Sequence, residues 1–116
     1  MDKLLIYRID SLLEHIDLVL KDTNGLSLED IKKSSLLLRA TCFSVTQIGE
    51  MMVQLEKLLI EDYPNLPWDG ARQMRNIIVH DYGGADLDQV YSTIHNDLPN
   101  LKADFINIKN DLLNNK

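Results

Sequence analysis

The sequence contains few of the residues that brace a small protein covalently. It has one cysteine, Cys42, and three prolines in 116 residues. A single cysteine excludes an internal disulfide. Its neighbours Phe43 and Val45 are apolar, whereas a nucleophilic thiolate needs polar, electropositive surroundings, so the sequence predicts a buried core thiol. This cysteine usage fits a reducing cytosol.

Long apolar runs are also missing. No run approaches the ~20 residues that a membrane-spanning helix requires. The N-terminal segment carries Asp2, Lys3, Arg8 and Asp10 among its apolar residues, which excludes the uninterrupted apolar core of a signal peptide. We therefore expect a soluble, cytoplasmic protein without a membrane partner.

Basic residues are outnumbered by acidic ones. The formal net charge is −6 and the sequence pI is about 4.9. Proteins that bind nucleic acid broadly have a basic face, so this charge argues against a general nucleic-acid binder. If RNA is a substrate, its contact with the protein is expected to be local, or a partner must supply positive charge.

The apolar residues that are present follow a helical period. With 45% apolar and 26% charged residues, the composition is that of one globular domain, which we assign to residues 1–116. Apolar residues repeat every three or four positions in the first segment, and this spacing predicts one helix face. The residues of that stripe are Leu5, Ile9, Leu12, Ile16 and Val19.

The positions of glycine, serine and proline divide the chain into helices. Asn24-Gly25 ends the first helix, and Ser27 is the expected N-cap of the second. Because no proline occurs before Pro64, we expect a single long helix from about Leu28 to Glu61. Gly49 in its middle would allow close approach by another helix, at a cost of about 1 kcal/mol relative to alanine.

The second half of the chain is expected to contain shorter helices. After a loop from Tyr63 to Trp68, a third helix is predicted from about Trp68 to Tyr82, ending at Gly83-Gly84. Asp86 can cap a fourth helix. Pro99 should kink or break the chain, and it also suits the first turn of a last amphipathic helix. Since no segment alternates like a β-strand, the predicted fold is an all-α, antiparallel bundle of four to five helices.

The stretch from 75 to 83, RNIIVHDYG, carries the candidate chemistry. On an ideal helix at ~100° per residue, Arg75 and Tyr82 share one flank, and His80 points about 140° away from Arg75. Two copies related by a two-fold axis would bring the arginine of one beside the histidine of the other and would cover Val79 on the polar face. We therefore expect a homodimer.

These residue types suit RNA cleavage without a metal. His80 has a side chain that titrates near neutral pH and can activate the ribose 2′-hydroxyl, while Arg75 can hold the developing phosphate charge. Asn76 could orient either group. The acidic residues are scattered and suggest no metal site. An arginine and a histidine at this spacing also occur by chance on solvated helix faces, and His15 and His95 are assigned to surface or packing roles.

A longer set of residues resembles the HepT family of HEPN-domain proteins. The resemblance rests on Pro67-Trp68, Met74-Arg75-Asn76 and Val79-His80-Asp81-Tyr82, together with Ile48-Gly49-Glu50 in the second predicted helix. Arg75, His80 and Tyr82 meet the family's pattern of arginine, four residues, histidine, any residue and tyrosine. The helix order agrees over essentially the whole chain.

The resemblance implies a HEPN-like helical homodimer in which the motifs of both chains meet at the interface. It implies a ribonuclease that is the toxin of a toxin–antitoxin pair. Arg75 and His80 would be its catalytic residues, with Asn76, Asp81 and Glu50 in support. From the residues themselves we expect no cofactor and no metal ion.

The resemblance also implies a partner. In the family, the antitoxin MntA, a minimal nucleotidyltransferase, silences the toxin by transferring AMP to the motif tyrosine, which is Tyr82 by position. Two alternatives stay open from the residues alone. One is a non-catalytic HEPN subunit that docks a nucleotidyltransferase and binds nucleotide or RNA; the other is a helical interaction module with an accidental motif.

Overall fold

Helices account for all the regular structure in the described part of the chain. The computed structural model describes residues 2–76 and 86–114. Within these ranges the prediction of an all-α fold is confirmed, and no helix there is long and apolar enough to cross a membrane. The elements are α1 (Lys3–Asp22), α2 (Leu28–Lys33), α3 (Ser35–Leu59), α4 (Trp68–Arg75), α5 (Leu87–Ser92), a π-helical turn (Thr93–Asp97) and α6 (Leu98–Asn114).

The first and last helices run antiparallel along one side of the bundle. Asp10 of α1 pairs with Lys109 of α6 at 2.6 Å, and Asp17 pairs with Lys102 at 2.7 Å. Residues that come later in α1 therefore meet residues that come earlier in α6. Each pair is half exposed and contributes little free energy on its own, but the two pairs define the register of these helices.

The apolar stripes predicted from the sequence form one continuous core. Every member of the α1 stripe except Leu5 is buried, and Leu5 packs against the core while half exposed. The stripe of α3 meets it from the opposite side, and the stripe of α6 closes the bundle. The fully buried larger side chains at its centre are Ile9, Leu12, Ile16, Val45, Ile48, Met52, Leu55, Leu59, Ile94, Leu98 and Phe105.

The prediction of one long helix from Leu28 to Glu61 is wrong. Ser34 adopts an extended conformation (φ −110°, ψ 107°) and divides the segment into α2 and α3. Its hydroxyl accepts a hydrogen bond from the backbone N–H of Leu37 at 3.1 Å, which caps α3. A serine side chain that competes for backbone groups favours caps over helix interiors, and this explains the break without a proline or a glycine.

The predicted N-cap at Ser27 is confirmed. The Ser27 hydroxyl accepts from the backbone N–H of Asp30, and the Asp30 carboxylate accepts from the backbone N–H of Ser27. This reciprocal capping box satisfies donors that a helix start leaves free. The hydrogen bond from the Ser27 backbone lowers the pKa of Asp30 below its ordinary value.

Pro99 does not break the last helix. The chain passes from α5 through the π-helical turn into α6, with Pro99 in the first turn of α6. In that turn the backbone N–H of Leu98 donates to the carbonyl of Thr93, five residues earlier. A proline ring collides with the carbonyl four residues before it. The wider turn therefore relieves the strain that was expected to interrupt the helix.

Candidate functional site

The helix that carries Arg75 is packed directly against the backbone of α3. Gly49 is the contact point on α3. A Cβ atom placed on Gly49 would lie 2.8 Å from the carbonyl oxygen of Ala71 and 2.9 Å from the carbonyl carbon of Met74, and it would overlap the backbone nitrogen of Arg75. Only glycine permits this approach, as the sequence predicted. The contact fixes the backbone of Arg75 relative to α3.

The start of the same helix is anchored on the opposite side, against α6. Trp68 is almost fully buried and its ring meets Phe105 edge-on, with centroids 6.4 Å apart and an interplanar angle of 82°. Its indole N–H donates to the backbone carbonyl of Tyr63 at 3.0 Å. The ring therefore has both its apolar contact and its hydrogen bond satisfied. Helix α4 is thus held at its first and its last residue.

A second arginine, one turn before Arg75, is engaged in ion pairs. The Arg72 guanidinium donates to both carboxylate oxygens of Glu56 on α3, at 2.7 and 2.9 Å, and to Asp69 at 3.0 Å. Only 13% of the Glu56 side chain is exposed, so this bidentate pair is shielded from water on the α3 side. Arg72 therefore joins α4 to α3 and has little capacity left for a phosphate.

Arg75 is half buried at the last residue of α4, and Asn76 follows as the exposed C-cap. The backbone N–H of Asn76 lies 3.2 Å from the carbonyl oxygens of both Arg72 and Gln73. Among residues 2–76 and 86–114, no carboxylate forms an ion pair with Arg75. Arg75 differs in this from Arg72, whose guanidinium is paired with carboxylates.

Several of the predicted site residues lie outside the described ranges. His80, Asp81 and Tyr82 belong to this group, as does the predicted continuation of α4 to Tyr82. Glu50 is half buried on α3, directly after Gly49. The structure therefore brings Ile48-Gly49-Glu50 and the Arg75 end of α4 together, and it leaves the position of the histidine relative to both as a prediction.

A cavity lies on the other side of α4, towards α5 and α6. Its volume is about 250 Å³. Among the described residues it is lined from α4 by Gly70, Gln73 and Met74, with Pro67 before that helix. From the α5–α6 side it is lined by Gln89, Thr93, Asp97, Asn100, Leu101 and Asp104. The cavity therefore adjoins the last turn of the helix that ends at Arg75.

Comparison with known protein families gives a match over most of the chain. A family model described as ribonuclease HepT-like matches residues 12–108, a range that includes every candidate site residue. The chain belongs to the HepT-like family. The expectation drawn from the Arg75–Tyr82 motif and Ile48-Gly49-Glu50 is thereby confirmed at the level of the family.

Individual relatives of this HepT-like protein are distant. A Methanocaldococcus jannaschii protein named "Gamma-glutamylcyclotransferase and putative RNase" is 30% identical over 93% of this chain, and the chain spans 49% of its length. A "Putative RNase" of Caldanaerobacter subterraneus subsp. tengcongensis is 29% identical, covering 81% of this chain and 84% of that protein. A "Probable ribonuclease HepT" of Thermococcus cleftensis is 28% identical, covering 84% and 88% respectively. No solved structure matches the chain.

Cys42 lacks the properties of a reactive thiol. Cys42 is buried, and burial raises the pKa of its thiol, so it remains protonated at neutral pH. No cluster of three or more histidine, cysteine, aspartate or glutamate side chains suited to a metal ion occurs among residues 2–76 and 86–114. The family and the names of the relatives support a ribonuclease of the HepT type.

Sequence reasoning missed two features of the site, the Glu56–Arg72 pair and the cavity beside α4. The Glu56–Arg72 pair joins residues sixteen positions apart on different helices, and only the Asp69–Arg72 spacing could have been read as a local pair. Asp97 and Asp104, which line the cavity, were not predicted as site residues. Their seven-residue spacing on one helix face was the available signal.

Proposed function

We propose that this protein is a metal-independent endoribonuclease in which Arg75 and His80 act on one phosphodiester. The observation that carries the proposal is the Gly49 contact, which holds the backbone of Arg75 against α3 beside Glu50. An arginine that stabilises a transition state must be positioned before the reaction, because a fixed charge needs no reorganisation. Membership of the HepT-like family supports the same activity.

The chemistry follows from the two side chains. Neutral His80 removes the proton of a ribose 2′-hydroxyl, whose oxygen attacks the adjacent phosphorus. The guanidinium of Arg75 holds the non-bridging oxygens as negative charge develops on them. The bond to the 5′-oxygen of the next nucleotide breaks, and that oxygen takes up a proton. The products are a 2′,3′-cyclic phosphate and a 5′-hydroxyl end.

The active unit in this proposal is a homodimer. On an ideal helix Arg75 and His80 point about 140° apart, so a second copy would supply the partner of each. Sedimentation at micromolar concentration tests this step. A dimer is expected, and a monomer that cleaves RNA would show that one chain assembles the site by itself.

The direct test is cleavage of total RNA and of a tRNA pool in EDTA by protein free of AMP. The wild type is expected to produce cyclic phosphate ends. His80→Ala and Arg75→Ala should each lose activity by at least ~100-fold, the usual size of a general-base or charge-stabilising effect. Both variants should keep the circular dichroism and sedimentation behaviour of the wild type.

Matched controls are available in the same chain. His95 is an exposed histidine whose ring stacks on Tyr91, and Arg39 is an exposed arginine at the start of α3. His95→Ala and Arg39→Ala should cleave as the wild type does. Equal losses in these controls would mean that removal of any surface charge lowers activity, and the assignment to Arg75 and His80 would fail.

We further propose that the protein is the toxin of a toxin–antitoxin pair and is silenced by a nucleotidyltransferase of the MntA type. The Tyr82 hydroxyl attacks the α-phosphorus of ATP, and pyrophosphate leaves. The added phosphodiester would pair with Arg75 on the same flank of an ideal helix and occupy the place of the RNA phosphate.

Mass spectrometry after co-expression with such an enzyme tests the acceptor. The wild type should gain one AMP per chain, and Tyr82→Phe should gain none. Tyr7 is 66% exposed and serves as the control, because a non-selective enzyme would modify it as well. AMP on Tyr7 or Tyr91 in the Tyr82→Phe variant would overturn the assignment.

A second function, a non-catalytic subunit that docks the nucleotidyltransferase and binds nucleotide or RNA, is favoured by the net charge of −6. Such a charge is unusual for a free-standing enzyme acting on RNA. Under this alternative, AMP-free wild-type protein cleaves no RNA, and Arg75→Ala or His80→Ala weakens binding instead. The cleavage experiment in EDTA therefore separates the two functions.

A further inference from the structure

The cavity beside α4 has the size and lining of a site for one flat polar group. Its volume of about 250 Å³ is below the ~300–1,000 Å³ of pockets for drug-sized ligands. Pro67, Met74 and Leu101 supply apolar wall, and amide, hydroxyl and carboxylate side chains supply the polar part of the lining. A heteroaromatic ring that is apolar on its faces and polar along its edge fits this division.

Gly70 keeps the cavity open although packing does not require a glycine there. A Cβ atom on Gly70 would meet the Cβ of Pro67 at 3.9 Å, an ordinary contact, and no other described residue is nearer. Glycine inside a helix costs about 1 kcal/mol relative to alanine. Gly70 lies in the first turn of α4, so its cost is at most of this size, and it occurs where the missing side chain leaves cavity space.

The side chains opposite Gly70 form one polar stripe along the α5–α6 helix. Gln89, Thr93, Asp97, Asn100 and Asp104 follow each other at intervals of three or four residues, and all line the cavity. Thr93 is only 2% exposed, so a polar side chain is buried in the wall of the cavity. Polar side chains here favour recognition over core packing.

The charge of the lining selects among ligands. Asp97 and Asp104 line the cavity, no lysine or arginine is among its described lining residues, and neither carboxylate is paired with a described cation. Phosphate is therefore disfavoured, and a group with N–H donors is favoured. Half-buried Asp104 and exposed Asp97 can each accept two hydrogen bonds from adjacent donors.

We propose that this cavity binds a guanine base of the RNA substrate. Guanine presents N1–H and the N2 amino group side by side, and one carboxylate can accept both. Adenine, cytosine and uracil do not offer two adjacent donors on their Watson–Crick edges. Bases of single-stranded RNA are commonly read on that edge while their faces rest on apolar or aromatic side chains.

The position of the cavity gives the base a place relative to the cleaved bond. Gln73 and Met74 line it, and Arg75 is the next residue of the same helix. Consecutive Cα atoms are ~3.8 Å apart, so a base in the cavity and a phosphate held by Arg75 would contact the same end of α4. The inference rests in this respect on the proposed ribonuclease function, and it predicts cleavage next to a guanosine.

Base binding is tested without any cleavage by NMR titration of the whole protein with GMP, IMP and AMP in the millimolar range. GMP should shift the amide signals of Gly70 and Thr93. IMP, which lacks only the N2 amino group, should bind about tenfold more weakly, as expected for one hydrogen bond to a charged group. AMP should bind no better than IMP. Equal affinities for the three nucleotides would overturn the proposal.

Three variants locate the site. Asp97→Asn and Asp104→Asn, made singly, identify the acceptor: one of them should abolish the difference between GMP and IMP. Gly70→Leu should fill the cavity and prevent binding. Asp88→Asn removes an equal charge from α5 outside the lining and should bind as the wild type does. If Asp97→Asn and Asp104→Asn both keep the difference, the assignment to this cavity is wrong.

Cleavage then separates the inference from the proposed function. With wild-type protein, sequenced product ends should show guanosine beside the cleaved bond, and this preference should disappear in the aspartate variant that loses GMP selectivity. Cleavage without a base preference would overturn the guanine site and leave the ribonuclease standing. Selective GMP binding without any cleavage would support the base site and remove the ribonuclease assignment.

Discussion

The two sides of α4 are packed in opposite ways. On the side facing α3, the backbones approach so closely at Gly49 that no side chain fits between them. On the side facing α5 and α6, Gly70 has room for a side chain and borders a cavity of about 250 Å³. The same residue type therefore serves tight contact on one side and open space on the other.

This difference indicates which side of α4 determines position and which side is free to bind. Where two backbones are closely packed, the helices have little freedom to move. Even one added methyl group would disturb the packing there. The α3 side thus fixes Arg75, and the Arg72–Glu56 pair reinforces it. The side facing α6 borders a cavity that combines apolar residues such as Met74 and Leu101 with polar groups, and such a combination is typical of a ligand pocket.

The largest effect is expected at the start of α4, where Trp68 is buried against Phe105 of α6. Trp68→Ala removes the ring that packs on Phe105 and the hydrogen bond to Tyr63, so the free energy of unfolding should fall by about 3–5 kcal/mol. Urea unfolding followed by circular dichroism measures it. Trp68→Phe should lose less, since it keeps most of the apolar contact. A loss below ~1 kcal/mol for Trp68→Ala would show that α4 is not anchored at its start.

Gly49→Ala directly tests the packing of α4 against α3. The added methyl would overlap the backbone of Ala71, Met74 and Arg75, and backbone atoms cannot rotate away. Overpacking of this kind costs about 1–3 kcal/mol, from which the helical preference for alanine recovers up to ~1 kcal/mol. The midpoint of urea unfolding should therefore fall, and RNA cleavage should fall with it at concentrations where the protein is folded.

Unchanged cleavage by folded Gly49→Ala would contradict the idea that this contact positions Arg75. The comparison with Gly70→Ala is informative because both variants add the same methyl group to a helical glycine. Opposite signs of the stability change are expected. The same sign at both positions would mean that the difference between the two sides of α4 is not one of packing.

Much of this arrangement can be predicted from the sequence, because the apolar residues that a helix buries recur every three or four positions. The stripes of α1, α3 and α6 could be assigned from spacing alone, and Gly49 could be named as a point of close approach. The break at Ser34 could not, since a serine inside a long helical pattern costs less than 1 kcal/mol and only its side-chain hydrogen bond to Leu37 decides the outcome. Pro99 does lie in the first turn of a helix, but the π-helical turn that carries the chain into α6 without a break could not be predicted from spacing.

For the candidate site, the local motif could be predicted from the sequence, whereas the contacts between helices could not. Arg75, Asn76, His80, Asp81 and Tyr82 are close in sequence, so their motif could be recognised without a structure. The Glu56–Arg72 pair and the cavity depend on which helix faces meet, and this is decided by tertiary packing. The assignment of roles to His80 and Tyr82 stays a prediction.

Glu56→Gln, on the side of α4 that faces α3, is expected to have a smaller effect on the free energy of unfolding. It keeps the shape of the side chain and removes the charge that Arg72 contacts through two hydrogen bonds. A loss of about 1 kcal/mol is expected, because Arg72 is half exposed and retains Asp69. Asp69→Asn is the matched control and should change stability by at most ~0.5 kcal/mol, since its side chain is fully exposed. Equal losses would mean that the contact with α3 adds nothing beyond surface charge.

The smallest effect has the opposite sign. Gly70→Ala places a methyl group where only ordinary contact with Pro67 is expected, so the helical preference for alanine should raise the free energy of unfolding by about 0.5–1 kcal/mol. If the cavity is a binding site, the same methyl should weaken GMP binding while stability rises. A gain in stability with unchanged GMP binding would indicate that the space beside Gly70 is not used. A loss of stability would show that the side of α4 facing α6 is as closely packed as the side facing α3.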